Sequence, residues 1–430
     1  MKTNKKTISP KTIAVAASLA AMQIGAVYAQ NLNLDEVVVT ASPTGRTKMK
    51  SSDSVTSLGE EAIARSGATN VADILRSVPG IRAEASGGDG NANVVARGIP
   101  MSAGGGRYVQ FQEDGLPVLM FGDIEFATPD MFMRTDYMTD RVEVVRGGSA
   151  STLTSNAPGA IMNFITKNSR DAGNSVGYTT GIGNRLNRVD FSFTNILSDD
   201  THVNFGGFQR QSDGGPGSTN YTAADGGQLR GAITKTLDQG SYVRATFKSL
   251  DDRSPSLMPV PVTIGSNGQI TKMAGFDPRL TSVAMVGGGF TRDTTMDKNG
   301  NLVTSNPQDG TKSTSHAFGL EGKFNLSDGW SIEERFRKSS NSGRFNGPLG
   351  LNLGGTDIRN VQLSTSNDNV DATFNDIKAL KAFDLNGGKS VFTAGLFSGT
   401  QRLAQTWGFN QYMVNLNDVG NYTMLNCIQI

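Results

Sequence analysis

Apolar and polar residues alternate with a period of two along most of the chain beyond Ser175. Between His316 and Leu326 the residues His316, Phe318, Leu320, Gly322, Phe324 and Leu326 fall on one side, and Ala317, Gly319, Glu321, Lys323 and Asn325 on the other. Successive side chains of a strand point to opposite faces, so this spacing predicts a strand with one apolar and one polar face. Val189, Phe191, Phe193, Asn195 and Leu197 repeat it against Asp190, Ser192 and Thr194, as do Val243, Ala245 and Phe247 against Arg244, Thr246 and Lys248. The pattern predicts roughly nine strands, at about 174–182, 186–197, 201–212, 227–237, 241–251, 312–326, 329–340, 368–383 and 389–405. Tight turns at Gly183-Asn184, Ser198-Asp199-Asp200, Asp238-Gln239-Gly240 and Ser327-Asp328-Gly329 contrast with long polar stretches from Asp251 to about Gly310 and from about Asn341 to Asn367. Short turns on one side and long loops on the other are the asymmetry of an antiparallel transmembrane β-barrel. A soluble β-sandwich or solenoid also has alternating strands and stays open at this point.

Upstream the periodicity changes. Glu60–Arg65 and Val71–Arg76 read as two short helices, the second capped by Thr69 or Asn70 and closed by Pro79-Gly80. Short strands are expected at Asn93–Arg97, Tyr108–Gln112, Arg141–Val145 and Ala160–Thr166, which makes residues 58–170 an α+β domain. Ahead of it, residues 30–57 form a polar, flexible arm with one β-favouring run, Val37-Val38-Val39-Thr40. An extended β-branched run on a tether is suited to adding a strand to another protein's sheet edge; it could equally be the domain's own first strand.

Residues 1–29 have the layout of a secretory signal peptide: a basic start (Lys2, Lys5, Lys6, Lys11), a small and apolar stretch from Ile13 to Ile24, and Val27-Tyr28-Ala29 for cleavage before Gln30. That apolar run is shorter than the ~20 residues that span a bilayer, and nothing later reaches the length, so a membrane location requires a barrel. Fifty-two glycines and a net charge of +1 fit a turn-rich β protein and give no reason to expect nucleic acid as a partner. Cys427 is alone, so no intramolecular disulfide forms. Gly87-Gly88-Asp89-Gly90 and Gly104-Gly105-Gly106 lack the lysine of a phosphate loop. His202 and His316 have no metal-ligand spacing around them, and no serine nucleophile elbow occurs. No catalytic residue, metal site or cofactor is expected, and the protein is read as a non-enzyme.

Leu34 to Ala41, LDEVVVTA, resembles the TonB box, and the following segments resemble, in order, the plug of a TonB-dependent outer-membrane receptor: VADILRSVPGI (Val71–Ile81), VVARGIP (Val94–Pro100), FQEDGLPV (Phe111–Val118), DRVEVVRGGSAS (Asp140–Ser151) and NAPGAIMNFITK (Asn156–Lys167). The chain departs from the family at Ile99, where an aromatic is usual, and at Leu153-Thr154-Ser155-Asn156. The resemblance implies a Gram-negative outer-membrane importer whose box, Asp35, Glu36, Val37, Val38, Val39 and Thr40, pairs with the periplasmic domain of TonB, itself energised by an inner-membrane proton-motive complex. It implies outer-membrane lipid as surroundings, a monomer, and a small-molecule or oligosaccharide ligand of the siderophore-iron, cobalamin or oligosaccharide class.

Arg97 and Arg146 each end a short apolar strand and precede a glycine, Gly98 and Gly147, that can turn the chain tightly. Their guanidinium groups are expected to anchor the plug to carboxylates of the barrel wall, because an arginine facing that wall is costly unless paired. Arg107, Phe121 and Asp123 lie in segments that resemble the plug apices and are the candidate ligand contacts.

Residues 171–430 are expected to be an incomplete barrel. About nine strands fall short of the ~22 that surround a plug, and the ending Met424–Ile430 lacks the terminal aromatic usual in the family. Rival readings are a secreted β-rich adhesin and a periplasmic carbohydrate-active enzyme; neither accounts for signal, arm and plug motifs together.

Overall fold

The computed structural model describes residues 37–40, 45–47, 51, 53–68, 70–85, 87–99, 105–124, 126–147, 154–213, 221–256, 262–273, 291–297, 299–352, 357–385, 387–415 and 418–429. The signal segment, Asp35 and Glu36 lie outside them.

In the arm, β1 (Val37–Val38) pairs antiparallel with β2 (Arg46–Thr47). The α+β domain then opens with β3 (Ser54–Gly59), a strand that runs across the boundary expected at Ser57. Two helices follow, α1 (Glu60–Ser66) and α2 (Val71–Leu75), where the spacing predicts them. Asn70 caps α2: its backbone is extended and its side-chain oxygen accepts the Asp73 N–H at 2.9 Å. Gly80, at φ +77°, takes the turn that no side chain takes cheaply after Pro79. β4 (Ile81–Glu84) and β5 (Asn93–Ala96) make a small ladder. β6 (Val109–Glu113), β7 (Leu116–Pro117), β8 (Thr139–Arg146) and β9 (Ala160–Thr166) join β3 in a five-stranded sheet of order β3-β8-β9-β6-β7. Only β6 and β9 run parallel. One face of this sheet is packed by Val71, Ile74 and Leu75 of α2 against Phe111, Val142, Val144 and Met162, all under 4% exposed.

The remainder is a twelve-stranded antiparallel sheet among the described residues. Its strands are β10 (Ser175–Thr180), β11 (Asn187–Ile196), β12 (Thr201–Ser212), β13 (Ala224–Thr236) and β14 (Tyr242–Ser254), then β19 (Thr311–Asn325) and β20 (Trp330–Asn352). They continue with β21 (Asp357–Asn369), β22 (Ala372–Leu385), β23 (Gly388–Gln401), β24 (Ala404–Asn415) and β25 (Asp418–Gln429). Between β14 and β19 lie two hairpins, β15 (Thr263–Ile264) with β16 (Ile270–Thr271), and β17 (Asp293–Met296) with β18 (Leu302–Ser305). The upper half of β20 pairs with β21 and its lower half with β22, so β21 and β22 are one interrupted pass; β23 and β24 are another by the same logic. The twelve strands therefore make ten passes.

The expected nine strands undercount this sheet. The missed parts are β25 and the halves at β21 and β24, and the polar stretch from Asn341 to Asn367, expected as a loop, is mostly strand. The reason lies in composition: β21 has Asn360, Gln362, Ser364 and Ser366 on one face and only Val361 and Leu363 among Arg359, Thr365 and Asn367 on the other, so its period of two has a weak apolar phase to detect. Elsewhere the alternation is obeyed. Phe318 and Leu320 are 50% and 47% exposed, whereas Ser313 and Ser315 face inward and are buried. Such an outward apolar face is stable only against lipid. At the break between β21 and β22, Val370 is fully buried in the core of the α+β domain, and its N–H is satisfied by Asn341 O at 2.8 Å.

Candidate functional site

The inner face of the sheet holds the α+β domain through buried charge. Glu113, at the end of β6, receives both oxygens' hydrogen bonds from Lys248 Nζ of β14 at 2.8 Å and a third from Arg230 Nη2 of β13 at 2.9 Å. Lys248 also donates to Phe132 O at 2.6 Å, and Arg230 to Arg134 O at 2.9 Å. Arg337 of β20 closes the group by donating to the carbonyls of Glu113, Leu116 and Pro117. Burial alone would raise the Glu113 carboxyl; the charges of Lys248, Arg230 and Arg337 overcome it and hold the group at about 2. A second cluster lies beside it. Asp252 of β14 accepts from Arg134 of the inner domain at 2.7 Å and from Arg210 of β12 at 2.9 and 2.7 Å, and Arg210 reaches Asp89 at 2.6 Å.

None of these residues stood out in the sequence. The available signal was polar: Arg210, Arg230, Lys248 and Asp252 sit at the buried positions of strands whose other face is apolar. A charge on the lumen face of such a strand needs a partner, but the alternation does not say which residue supplies it.

Arg97 and Arg146 lie side by side. Arg97 and Gly98 both take positive φ, +50° and +75°, and the Arg97 N–H is bonded to Gly80 O at 2.9 Å. Arg146 donates to Pro79 O and, at 2.8 Å, to Thr56 Oγ1. Burial, and then the neighbouring Arg97 charge, push the Arg146 guanidinium below its ordinary value. Among the described residues neither arginine forms an ion pair with a carboxylate.

The described end of β1 and the two residues after it touch the α+β domain. Past β1, the N–H of Val39, the N–H of Thr40 and the Thr40 hydroxyl converge on Glu143 Oε2 at 3.0, 2.8 and 2.5 Å. Glu143 is fully buried on β8, its other oxygen takes Arg141 Nε at 2.8 Å, and Asn163 of β9 donates to Thr40 Oγ1 at 3.0 Å. Val39 and Thr40 line a cavity of about 760 Å³ that is bounded on the barrel side by Arg244, Glu321 and Arg335.

Of the three apex candidates, Arg107 is exposed, Asp123 is buried within 3.5 Å of it, and Phe121 is half-buried against the core. The loops that carry them touch through backbone: Gly106 N–H meets Gly122 O at 3.0 Å, and a Cβ at Gly122 would lie 1.8 Å from Gly106 O. A neighbouring residue, missed in the sequence, makes the contact with the barrel. Phe126, held at φ +65°, stacks on Phe345 with centroids 4.5 Å apart and tilts against Trp407 at 5.7 Å. Asn367 donates to Phe126 O at 3.2 Å, and Gln401 accepts the Met120 N–H at 2.8 Å.

A compact domain tied by buried ion pairs to the inner face of an antiparallel sheet with an apolar outer face is the arrangement of a plug held by a β-barrel wall. Residues 47–161 match the family described as TonB-dependent Receptor Plug Domain. That segment is thus similar to the plug domain of TonB-dependent receptors. The fold of the chain is that of solved receptors: FpvA of Pseudomonas aeruginosa bound to a heterologous pyoverdine–iron complex, at a TM-score of 0.64, 16% identity, and 91% of this chain against 50% of that one. BauA, the ferric preacinetobactin receptor of Acinetobacter baumannii, gives a TM-score of 0.61 at 15% identity, covering 90% and 53%. FyuA, the ferric yersiniabactin uptake receptor of Yersinia pestis, gives 0.52 at 15% identity, covering 84% and 50%. This chain spans about half the length of these structures.

Proposed function

We propose that this protein imports a ferric siderophore across the outer membrane, with Asp35 to Thr40 as the segment that pairs with the periplasmic domain of TonB. The observation that carries the reading is the attachment of the arm: Thr40 is hydrogen-bonded to Glu143 on the second strand of the plug sheet, so tension on the arm is delivered to the plug and not to the barrel. The outer membrane has no ATP or ion gradient of its own, and force on a small domain can open it locally at less than the cost of global unfolding. The siderophore class is supported by the pyoverdine, preacinetobactin and yersiniabactin receptors that share the fold. Arg97 and Arg146, in this reading, anchor the plug.

Deleting the gene in its parent organism and measuring uptake of radioiron carried by a panel of siderophores tests both parts. The expected result is loss of uptake of at least one ferric siderophore, reproduced by deleting TonB. Uptake of every siderophore unchanged, with cobalamin or oligosaccharide uptake lost instead, would retain the importer and replace its ligand; no TonB-dependent defect for any of the three classes would sink the proposal.

A further inference from the structure

At the end of the sheet that carries the long connections, the β17–β18 hairpin lies flat on β21 and β24. Gly408 permits the approach, since a Cβ there would come within 2.9 Å of Thr295 Cγ2. The hairpin is tied down by Asn410 Nδ2 to Thr294 O at 2.9 Å, Ser364 Oγ to Ser305 Oγ at 3.2 Å and Asn346 Nδ2 to Asn306 O at 2.9 Å. Strand parity shows which face it covers. Phe345, Asn367 and Trp407 meet the plug apex, whereas Asn346, Ser364 and Asn410 meet the hairpin, so the hairpin lies on the face opposite the plug, outside the lumen.

Between hairpin and sheet is a buried polar group. In the β21–β24 register Asn360 stands opposite Tyr412 and Gln362 opposite Asn410, and all four share one face. Asp293 of β17 sits over them, and its Oδ1 accepts from both Asn410 Nδ2 and Tyr412 OH. Asp293 is 1% exposed, and Asn360, Gln362 and Asn410 are fully buried. Four oxygens here have no hydrogen-bond partner, Asp293 Oδ2, Asn360 Oδ1, Gln362 Oε1 and Asn410 Oδ1, and neither has Asn360 Nδ2, so the Asn360 amide is free to present its oxygen. The orientation of the Asn410 amide is fixed by the two bonds from its nitrogen, so its free atom is an acceptor. Buried acceptors left unfilled are costly, and three on one face of the β21–β24 pair, beneath a carboxylate with a fourth, call for a cationic occupant.

We propose that a calcium ion binds between this hairpin and the outward face of β21 and β24, held by the oxygens of Asp293, Asn360, Gln362 and Asn410 with water completing its shell. The donor set is all oxygen, which excludes metals that prefer imidazole or thiolate. Amide carbonyls and a lone carboxylate fit the larger, geometrically tolerant Ca²⁺ better than Mg²⁺, which dehydrates reluctantly. One carboxylate gives a weak site, of the order of 10⁻⁴–10⁻³ M as in extracellular calcium modules. Such an affinity suits a site open to the medium, where the ion staples a surface hairpin to the barrel.

The test uses the whole chain, purified from membranes in detergent and stripped of metal. Terbium stands in for calcium and is excited through Tyr412, whose hydroxyl bonds Asp293. Saturable terbium luminescence that calcium displaces is expected, along with calcium-dependent slowing of trypsin cleavage after the exposed Arg292. Asp293→Asn keeps the side-chain shape and should weaken calcium binding about tenfold or more, since ligand charge sets the affinity. Should that variant misfold, Asn360→Leu, which breaks no hydrogen bond of the fold, must show the same loss. Absence of a calcium-displaceable signal, or wild-type binding in the folded variant, would overturn the proposal.

Discussion

Thr40 of the arm and Glu143 of the plug sheet are joined twice, by the Thr40 N–H at 2.8 Å and by its hydroxyl at 2.5 Å, on one oxygen of a carboxylate that is fully buried. With Val39 N–H as a third donor to that oxygen, release of the arm strips a buried carboxylate of three of its four hydrogen bonds among the described residues. Bonds to a charged acceptor contribute about 1.5–3 kcal/mol each, so the docked arm is a latch and not a passive tether.

Removing the charge should open the latch. Glu143→Gln is expected to raise the rate at which a cysteine placed at Val38 reacts with a bulky membrane-impermeant thiol reagent by about tenfold, the equivalent of one weakened charged hydrogen bond. An unchanged labelling rate in spheroplasts would show that the arm leaves its dock at no cost.

Proline in the arm should separate recognition from energy coupling. Val38→Pro removes a ladder donor from the run that is proposed to pair with TonB, so uptake should be lost while the affinity for the iron-loaded ligand stays at its wild-type value. Equilibrium binding and radioiron accumulation, measured on the same cells, decide it: intact accumulation rejects the pairing.

The Glu113 cluster should be the firmest tie between plug and wall. Lys248→Met leaves a buried carboxylate with one cation less, and breaking such a pair costs about 3–5 kcal/mol. The plug of this variant should become sensitive to protease and the cells more permeable to large antibiotics. Arg97→Ala with Arg146→Ala is expected to do the same if those residues anchor the plug; equal antibiotic sensitivity in that double variant would remove them from the anchoring role.

Two plug carboxyls give opposite pH dependences. Burial pushes the Asp130 carboxyl up to about 6, against hydrogen bonds from Thr128 and Ala92 and the charge of Arg134. A group whose folded value is raised binds its proton more tightly in the native state, so stability falls as pH rises from about 4 through 6 and levels off above. Glu113, held at about 2, acts the other way: its contribution is present above its ordinary value and is lost as pH falls toward 2. Asp130→Asn should therefore flatten the melting temperature between pH 4 and 7 and raise it at pH 8. A wild-type pH profile in this variant would contradict the assignment.

The chain's local chemistry settled the helices and most strands before any tertiary contact was known. Asn70, Pro79 and Gly80 bracket α2 by capping and backbone restriction, and the alternation of Phe318, Leu320 and Phe324 with Gly319, Glu321 and Lys323 assigns each side of β19 to lipid or lumen. These are properties of neighbours three or four residues apart, so they are written in the sequence. Pairings between distant segments are not. Glu113 meets Lys248 across 135 positions and Thr40 meets Glu143 across 103, and nothing local to either member of a pair names the other. Strands β21 and β24 stayed hidden for a related reason: the face turned to the β17–β18 hairpin carries Asn360, Gln362, Ser364 and Asn410, and the face turned to the plug mixes Leu363 and Trp407 with Thr365, Asn367 and Gln405, so neither gives hydrophobic periodicity a clear phase.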